Sequence, residues 1–357
     1  MSLVTLACVV TTLLPFVPHP HGIFRAFEFP RLHTTVISAT LLLLTIVFLP
    51  THDFAWLLAC ALVATLLTQL WHIARFSPFW RRRSKEFRGD PEGTPLITML
   101  INNVKQSNCD YKAVTELLRE HDPDIAVFME TDQPWIDAIA DAAQDYPHRI
   151  EHALDNGYGI LLLSRHRLYD HQVRFLLNPE VPSIDTMVSL PDGEAFRLFA
   201  VHPEPPLIHA DTMGRDAEIA FVGKMVRYDE MPVIVCGDLN DVAWSRTTRR
   251  FLRISRLLDP REGRGMFNTF DARYFFLRWP LDHIFHSPHF QLVSMQRMPF
   301  VGSDHFPMFY KVALTDSTVG RRRVDAAEKT DIEEADALIE VESNRDRRPV
   351  GHDWENQ

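Results

Sequence analysis

Six apolar runs in this sequence end in side chains that can bind a hard cation, hold a phosphate or move a proton. Leu100-Ile101-Asn102-Asn103 ends in two amides and leaves open which one faces a site, and Val127-Phe128-Met129-Glu130 ends in a carboxylate. Phe199-Ala200-Val201-His202 brings an imidazole, and Val235-Cys236-Gly237-Asp238-Leu239-Asn240 brings an acid and an amide two residues apart. Leu281-Asp282-His283 adds another acid, and Gly302-Ser303-Asp304-His305-Phe306-Pro307 adds an acid beside an imidazole. Carboxylate and amide oxygens are the ligands that magnesium-class ions prefer, and imidazoles serve phosphate binding and proton transfer near neutral pH. Each place also has a plainer reading. Gly-Asp-x-Asn makes a good turn, Glu130 can cap a helix starting near Thr131 to Trp135, and His202 before Pro203 can be an ordinary loop histidine. The six together are harder to explain as turns and caps than any one alone.

Functional groups on α/β folds come from the ends of strands, so the elements before these residues matter. Apolar runs predict strands at Leu96 to Ile101, Ile125 to Met129, Gly159 to Leu163, Phe196 to Val201, Val233 to Cys236, Leu281 to Phe285 and Phe306 to Val312. Between them, Ala113, Val114, Leu117 and Leu118 share one helical face, and further helices are expected near Asp211 to Arg227 and Ser245 to Leu258. This is α/β alternation, which by itself allows a doubly wound parallel sheet as readily as a sandwich. No internal repeat is present.

Before this region, Leu3 to Val17, Thr34 to Leu49 and Phe54 to Trp71 contain no Asp, Glu, Lys or Arg. Their lengths lie at or just below the roughly 17–25 residues that span a bilayer. A cleaved signal peptide is disfavoured, because Met1-Ser2 offers no basic n-region and no small-x-small site closes the first run. The segments carry no ionisable residues inside, so they read as anchors rather than a transport path. The loop at Thr51 lacks Lys and Arg, whereas Arg25, Arg31, Arg75, Arg81 to Arg83 and Lys85 flank the other side, which places the soluble region in the cytoplasm by the positive-inside rule. The expected organisation is a membrane anchor with about three helices over residues 1–75, a basic linker over 76–94, a catalytic domain over 95–314 and an acidic tail over 315–357 that is disordered or loosely helical.

Four cysteines at 8, 60, 109 and 236 form no C-x-x-C and no zinc-type cluster, and Cys236 sits in an apolar run as a buried thiol would. The formal charge of −10 argues against tight, sequence-independent binding to duplex nucleic acid, although half of it lies in the tail.

The order and spacing of these motifs resemble the endonuclease/exonuclease/phosphatase superfamily, which includes deoxyribonuclease I, exonuclease III-type endonucleases and neutral sphingomyelinases. The resemblance covers about residues 95–314. It runs through Asn103-Val104, Pro123-Asp124-Ile125 to Glu130, Tyr158-Gly159-Ile160 leading to Ser164-Arg165, His202, Gly237-Asp238-Leu239-Asn240, Leu281-Asp282-His283 and Ser303 to Pro307. The sequence also looks like a bacterial subgroup in which this domain follows several membrane helices, which Asp238-Leu239-Asn240-Asp241 and Trp244-Ser245 suit. The resemblance implies a four-layer α/β sandwich, two face-to-face sheets with outer helices, preceded by transmembrane helices in a bacterial inner membrane. It implies a phosphoesterase using Mg2+ or Mn2+, held by Glu130 with Asn103 beside it and Asp304 as a further acid. His305 is then the imidazole of proton transfer or phosphate stabilisation, and Asp282 orients it. Asp238 acts on the attacking water or leaving oxygen, and Asn240 and His202 contact phosphate. The implied partners are the bilayer and a phosphate-ester substrate, whether nucleic acid, phospholipid or nucleotide; no protein partner is implied. A membrane-anchored binding protein on the same scaffold is the alternative, and the filled catalytic positions speak against it.

Overall fold

The computed structural model describes residues 1–17, 19–48, 53–227, 230–315 and 325–352. The Thr51 loop and the basic run Arg321 to Arg323 lie outside these residues. The chain divides into two units: Met1–Arg81 together with Pro206–Thr212 and Glu262–Gly265, and the remainder.

The first unit contains α1 (Ser2–Leu13), α2 (Gly22–Ala26), α3 (Arg31–Phe48) and α4 (Asp53–Ile73). The long helices meet through small and polar side chains: Thr5, Cys8 and Thr12 of α1, Thr34, Ser38 and Thr45 of α3, and Thr65 and Gln69 of α4 are buried. Gln69 accepts a hydrogen bond from Arg31 Nη1 at 3.1 Å and donates to Thr12 Oγ1 at 2.8 Å. The outward faces are apolar, with Leu43, Ile46, Phe48, Trp56, Leu57, Leu67 and Trp71 exposed. Arg31–Phe48 and Phe54–Phe76 are long and apolar enough to cross a membrane, and only 22% and 28% of them is buried, whereas a helix in a soluble core would be mostly covered. The first apolar segment differs from expectation. It forms the shorter helical stretch Ser2–Phe16, so two helices rather than three reach spanning length among the described residues.

The second unit is a sandwich of two mixed sheets. Its elements in chain order are β1 (Leu96–Asn103), α5 (Tyr111–His121), β2 (Ile125–Met129), α6 (Gln133–Ala140), β3 (His148–His152), β4 (Ile160–Ser164), β5 (Arg167–Phe175), β6 (Pro182–Ser189), β7 (Ala195–Ala200) and α7 (Met213–Arg227). They continue with β8 (Val233–Asp238), α8 (Arg246–Ser255), β9 (Asp282–His286), β10 (Phe290–Arg297), β11 (Met308–Leu314) and α9 (Lys329–Ser343). One sheet runs β10-β11-β1-β2-β4-β3 and the other β5-β6-β7-β8-β9. Each is antiparallel except for one central parallel pair, β1 with β2 and β7 with β8.

The two-residue side-chain period of a strand sorts these sequences into layers. Ile97, Met99 and Ile101 of β1 face inward against Ile184, Leu198, Ile234 and Cys236 of the other sheet. Leu100, on the opposite face of β1, packs beneath Val114, Leu117 and Leu118 of α5 and Trp135 and Ile139 of α6. Phe199, Val235 and Phe285 of the second sheet are covered by Ile219, Val222 and Val226 of α7 and Phe251 of α8. The helices start where short polar residues cap them: Asp110 accepts from Ala113 N, Asp132 from Trp135 N, and Ser245 from Thr248 N.

The acidic tail departs from its expectation of disorder or a loose helix. Residues 329–343 form α9, opened by a reciprocal capping box between Glu328 and Asp331. Ala335 packs against Ala220 and Ile254, Arg253 forms a bidentate pair with Asp331 at 2.6 and 2.8 Å, and Arg246 and Arg250 both reach Glu334. The negative charge that marks the tail in composition is matched by the arginines of α8.

Gly237, inside β8, has φ +135°, and a Cβ there would lie 2.0 Å from the Val201 carbonyl oxygen. Only glycine lets β8 approach the end of β7 this closely. Gly237→Ala should therefore lower stability by about 2 kcal/mol or more, read as an earlier midpoint in chemical denaturation of the second unit's tertiary signal.

Candidate active site

The parallel pairs determine which strand ends meet. β1, β2, β7 and β8 all point their C-terminal ends the same way within their sheets, while β9 and β11 run antiparallel to their neighbours and begin at that end. Asn103 ends β1, Glu130 follows β2, His202 follows β7, Asp238 ends β8, Asp282 begins β9, and Asp304-His305 precede β11. Asp238 and Asp282 are direct cross-strand partners. The eight candidate residues named from sequence thus gather at one end of the sandwich.

Asn103 is the amide that faces the site. It shares the inward face with Ile101, donates from Nδ2 to Glu130 Oε1 at 2.7 Å and Asp238 Oδ2 at 3.1 Å, and accepts Lys105 N on Oδ1 at 2.9 Å. Asn102 is fully buried on the opposite face, the face of Leu100, and does not join the cluster. His305 is held at both ends. Nδ1 lies 2.8 Å from Asp282 Oδ2, and Nε2 lies 3.4 Å from Asp238 Oδ2. His202 Nε2 stands 3.9 Å from Asp238 and 4.0 Å from Glu130. Asn240, at φ +52°, donates its backbone N–H to Asp238 at 2.8 Å and its side-chain amide to the Pro203 carbonyl at 2.9 Å. Asp304 accepts Lys105 Nζ at 2.8 Å, with Arg273 at 3.5 Å. Glu130 and Lys105 also have positive φ, so several non-glycine residues at this end hold a conformation that costs energy.

Burial of this much charge shifts the acids and imidazoles in opposite directions. Burial and the neighbouring Asp304 raise Glu130 to about 7, against the hydrogen bond from Asn103. Burial likewise raises Asp238, opposed by His305. Burial alone would lower His305, but Asp282, Asp238 and Asp304 outweigh it and raise the imidazole to about 10. At His202 burial outweighs the attraction of Asp238, with His305 adding to the fall, and the imidazole drops to about 4. The site therefore pairs a cationic with a neutral imidazole at pH 7.

The tightest group of possible metal ligands is Asp238, Asp282 and His305, whose donor atoms lie within 4.8 Å of one another. Within this group His305 already engages Asp282 through Nδ1, and the surrounding carboxylates favour its protonated form. Glu130 with Asp304 suits a hard cation better. Its carboxylate is driven upward by burial and by another acid, and a divalent ion would relieve both.

Several contributors carry no sequence signal beyond their neighbours. Ser303 Oγ donates to the Asn103 carbonyl at 2.7 Å and accepts His305 N at 3.0 Å, tying β1 to the His305 turn. Thr269 Oγ1 accepts Asp282 N at 3.2 Å, and Arg215 Nη1 donates to the Asn240 carbonyl at 2.9 Å. Tyr158 places its ring 5.6 Å from His202. Other motif residues prove structural. Asp124 accepts the Thr98 N–H and hydroxyl at 2.7 and 2.6 Å, and Arg165 pairs with Asp122. His283 Nδ1 faces Arg261 Nη2 at 2.5 Å, which leaves Nε2–H to donate to the Asp241 carbonyl at 2.8 Å.

Residues after α9 close one wall. Arg347 forms a bidentate pair with the buried Glu204 at 2.7 and 2.8 Å, and Val350 N donates to the same carboxylate at 3.1 Å. Tyr158 donates its hydroxyl to the Val350 carbonyl. Gly214 leaves room for the pair, since a Cβ there would lie 2.2 Å from Glu204 Oε2. Glu204 lies two residues after His202, and Asn240 holds the intervening Pro203, so this strap supports the loop carrying both.

A sequence model described as the Endonuclease/Exonuclease/phosphatase family matches residues 99–305. Among solved structures, an endonuclease/exonuclease/phosphatase from Beutenbergia cavernae DSM 12333 superposes with a TM-score of 0.51 at 16% identity, covering 63% of this chain and 73% of that one. A family protein from Bacteroides thetaiotaomicron gives 0.51 at 21% identity, with 63% and 100% covered. D. rerio TDP2 complexed with single strand DNA product gives 0.50 at 14% identity, with 61% and 98% covered. At these identities the likeness concerns the fold. No curated protein sequence matches the chain.

The His305–Asp282 contact makes a direct test possible. The imidazole's ordinary pKa is near 6.5 and its folded value is raised, so the pair's stabilisation is complete below pH 6.5 and is lost as pH rises through about 10. In chelator-treated protein, Asp282→Asn should move the His305 titration, followed by NMR of the ring carbons, to clearly lower pH. An unchanged titration would refute this assignment of the charge.

Proposed function

Since the chain belongs to the endonuclease/exonuclease/phosphatase family, we propose that it is a membrane-anchored, divalent-metal-dependent phosphoesterase cleaving phosphodiester or phosphomonoester bonds. The observation that carries this reading is the convergence of Asn103, Glu130, His202, Asp238, Asn240, Asp282, Asp304 and His305 on one largely buried cluster, because hydrolysis needs water, phosphate and acid–base groups within a few ångströms.

Glu130, with the Asn103 amide oxygen and Asp304, would hold Mg2+ or Mn2+. When bound, the ion supplies positive charge that polarises the phosphate and offsets charge developing during in-line attack. The chain's own groups do the rest. The His305 imidazolium, fixed by Asp282, presents positive charge and a proton on Nε2 toward the phosphate oxygens. Asp238 orients the attacking water and accepts its proton, since its raised pKa makes it a stronger base than an ordinary aspartate. The P–O ester bond breaks as the water oxygen adds to phosphorus, the departing oxygen takes the proton of His305 Nε2, and the proton gained by Asp238, 3.4 Å away, restores the imidazolium. Neutral His202 donates Nε2–H, and Asn240 its amide, to the remaining phosphate oxygens.

The N-terminal unit supports the anchored part of the reading through its polar inner face and apolar outer face, the arrangement expected of helices packed within lipid. The flanking arginines favour the cytoplasmic side for the catalytic unit, and the resemblance to the bacterial subgroup suits an inner membrane.

Activity against a panel of phosphodiester, phosphomonoester, lipid and oligonucleotide substrates should disappear with EDTA and return with Mg2+ or Mn2+. His305→Ala should lose about 100-fold or more in kcat, the scale of a general acid–base group, without rescue by metal. Glu130→Gln should recover in part at high Mn2+. Near-normal turnover by His305→Ala would sink the mechanism. Reporter fusions after Lys85 should be active only when the reporter functions in the cytoplasm, and activity of an exported reporter there would reverse the topology.

A further inference from the structure

One exposed segment of the second unit takes no part in this mechanism. Between Phe270 and Trp279, paired as an antiparallel bridge, the chain turns through Tyr274, Phe275, Phe276 and Leu277, which are 48%, 81%, 55% and 38% exposed. Phe300 adds a fifth exposed apolar side chain. Elsewhere in this unit the large exposed apolar residues are scattered, at Tyr169, Phe175, Met231 and Val341 among the described residues. Scattered ones are ordinary on a soluble surface, but a consecutive run is not.

The loop is anchored to the site. Asp271 N donates to the Leu277 carbonyl at 2.9 Å, Ala272 N donates to the Asp304 carbonyl at 2.7 Å, and the Phe270 ring lies 4.9 Å from His305. Its base is cationic. The Arg278 and Arg297 guanidinium groups lie 4.9 and 4.5 Å from the ring centre of Phe306, the residue after His305. Their hydrogen bonds go to backbone carbonyls, Arg278 to Tyr274 and Ala272 and Arg297 to Asn268, and neither has a carboxylate partner among the described residues. An apolar tip above unneutralised guanidinium groups is the pattern of a segment that lies in a headgroup region, with rings among acyl chains and charges at anionic phosphates.

We infer that the 270–279 loop docks on a phospholipid surface bearing anionic headgroups, so that the site takes its phosphate ester from an amphiphile held in that surface. The substrate half of this inference rests on the phosphoesterase reading; the docking half does not. Single-stranded nucleic acid is less well matched. Base-stacking platforms combine separate aromatics with a continuous basic groove, whereas this run includes Leu277, two arginines supply the free charge, and the chain's formal charge is −10.

The test uses the full chain reconstituted in phosphatidylcholine vesicles with or without phosphatidylglycerol. In a Cys60→Ser, Cys109→Ser background, an environment-sensitive fluorophore is placed at Phe275→Cys or, as a control on α5, at Glu116→Cys. The label at 275 should shift to the blue and be quenched by lipid-borne quenchers, more strongly with phosphatidylglycerol, and the control should do neither. Arg278→Ala with Arg297→Ala should abolish the dependence on anionic lipid. Phe275→Ser with Phe276→Ser should lower turnover of a long-chain phosphate ester in vesicles about tenfold relative to its water-soluble headgroup analogue. A 275 label that stays in water in both vesicles, or one that responds to a single-stranded oligonucleotide instead of lipid, would overturn the inference. Insertion without hydrolysis of any phosphate ester would defeat the enzymatic reading alone.

Discussion

Repulsion among crowded carboxylates organises the candidate active-site end of this protein. Asp238, Asp282 and Asp304, all buried, and the half-buried Glu130 converge at the ends of strands whose other residues form an apolar core, where charge is poorly solvated. One imidazolium, His305, meets part of this charge and is held protonated by it. Lys105 and Arg273 meet another part at Asp304. What remains falls on Glu130, which burial and Asp304 drive upward. That arrangement costs stability unless a cation joins it, as expected of a site shaped for binding rather than for folding.

The sandwich makes this concentration of charge possible. A fully antiparallel sheet would alternate its strand ends, sending half of the reactive residues to the far side. One parallel pair in each sheet, β1 with β2 and β7 with β8, places two C-terminal ends side by side at the centre, and the antiparallel neighbours β9 and β11 begin at the same edge. Gly237 lets β8 approach β7 closely enough for Asp238 to reach the group.

The interior of this arrangement was legible in sequence, and its margins were not. Buried strands such as β2 and β8 are continuous apolar runs, so their ends, and the reactive residues there, could be read directly. β3, β5 and β10 are sheet edges with one face open, so their sequences mix His, Arg, Gln and Glu with the apolar residues. A bulge between Tyr169 and Gln172 further breaks the alternation of β5. β6 is interior but holds Asp185 between Arg174 and Arg197, a charge balance invisible along one strand. The same limitation hid α9, whose acids look unpartnered until the α8 arginines lie beside them. Asn103 could not be separated from Asn102 until strand register decided which amide faces inward.

The strap of Arg347 and Val350 on Glu204 has a consequence in time. Ribosomes deliver the chain from its N-terminus, so both sheets and every reactive residue emerge before the segment that closes the wall beside His202 and Tyr158. Until residue 347 arrives, Glu204 lacks the guanidinium that it pairs with in the folded chain. A nascent chain therefore passes through a stage in which the residues of the candidate site are present and this support is missing. Translation itself delays the moment at which the loop carrying His202 and Glu204 is fully tied down.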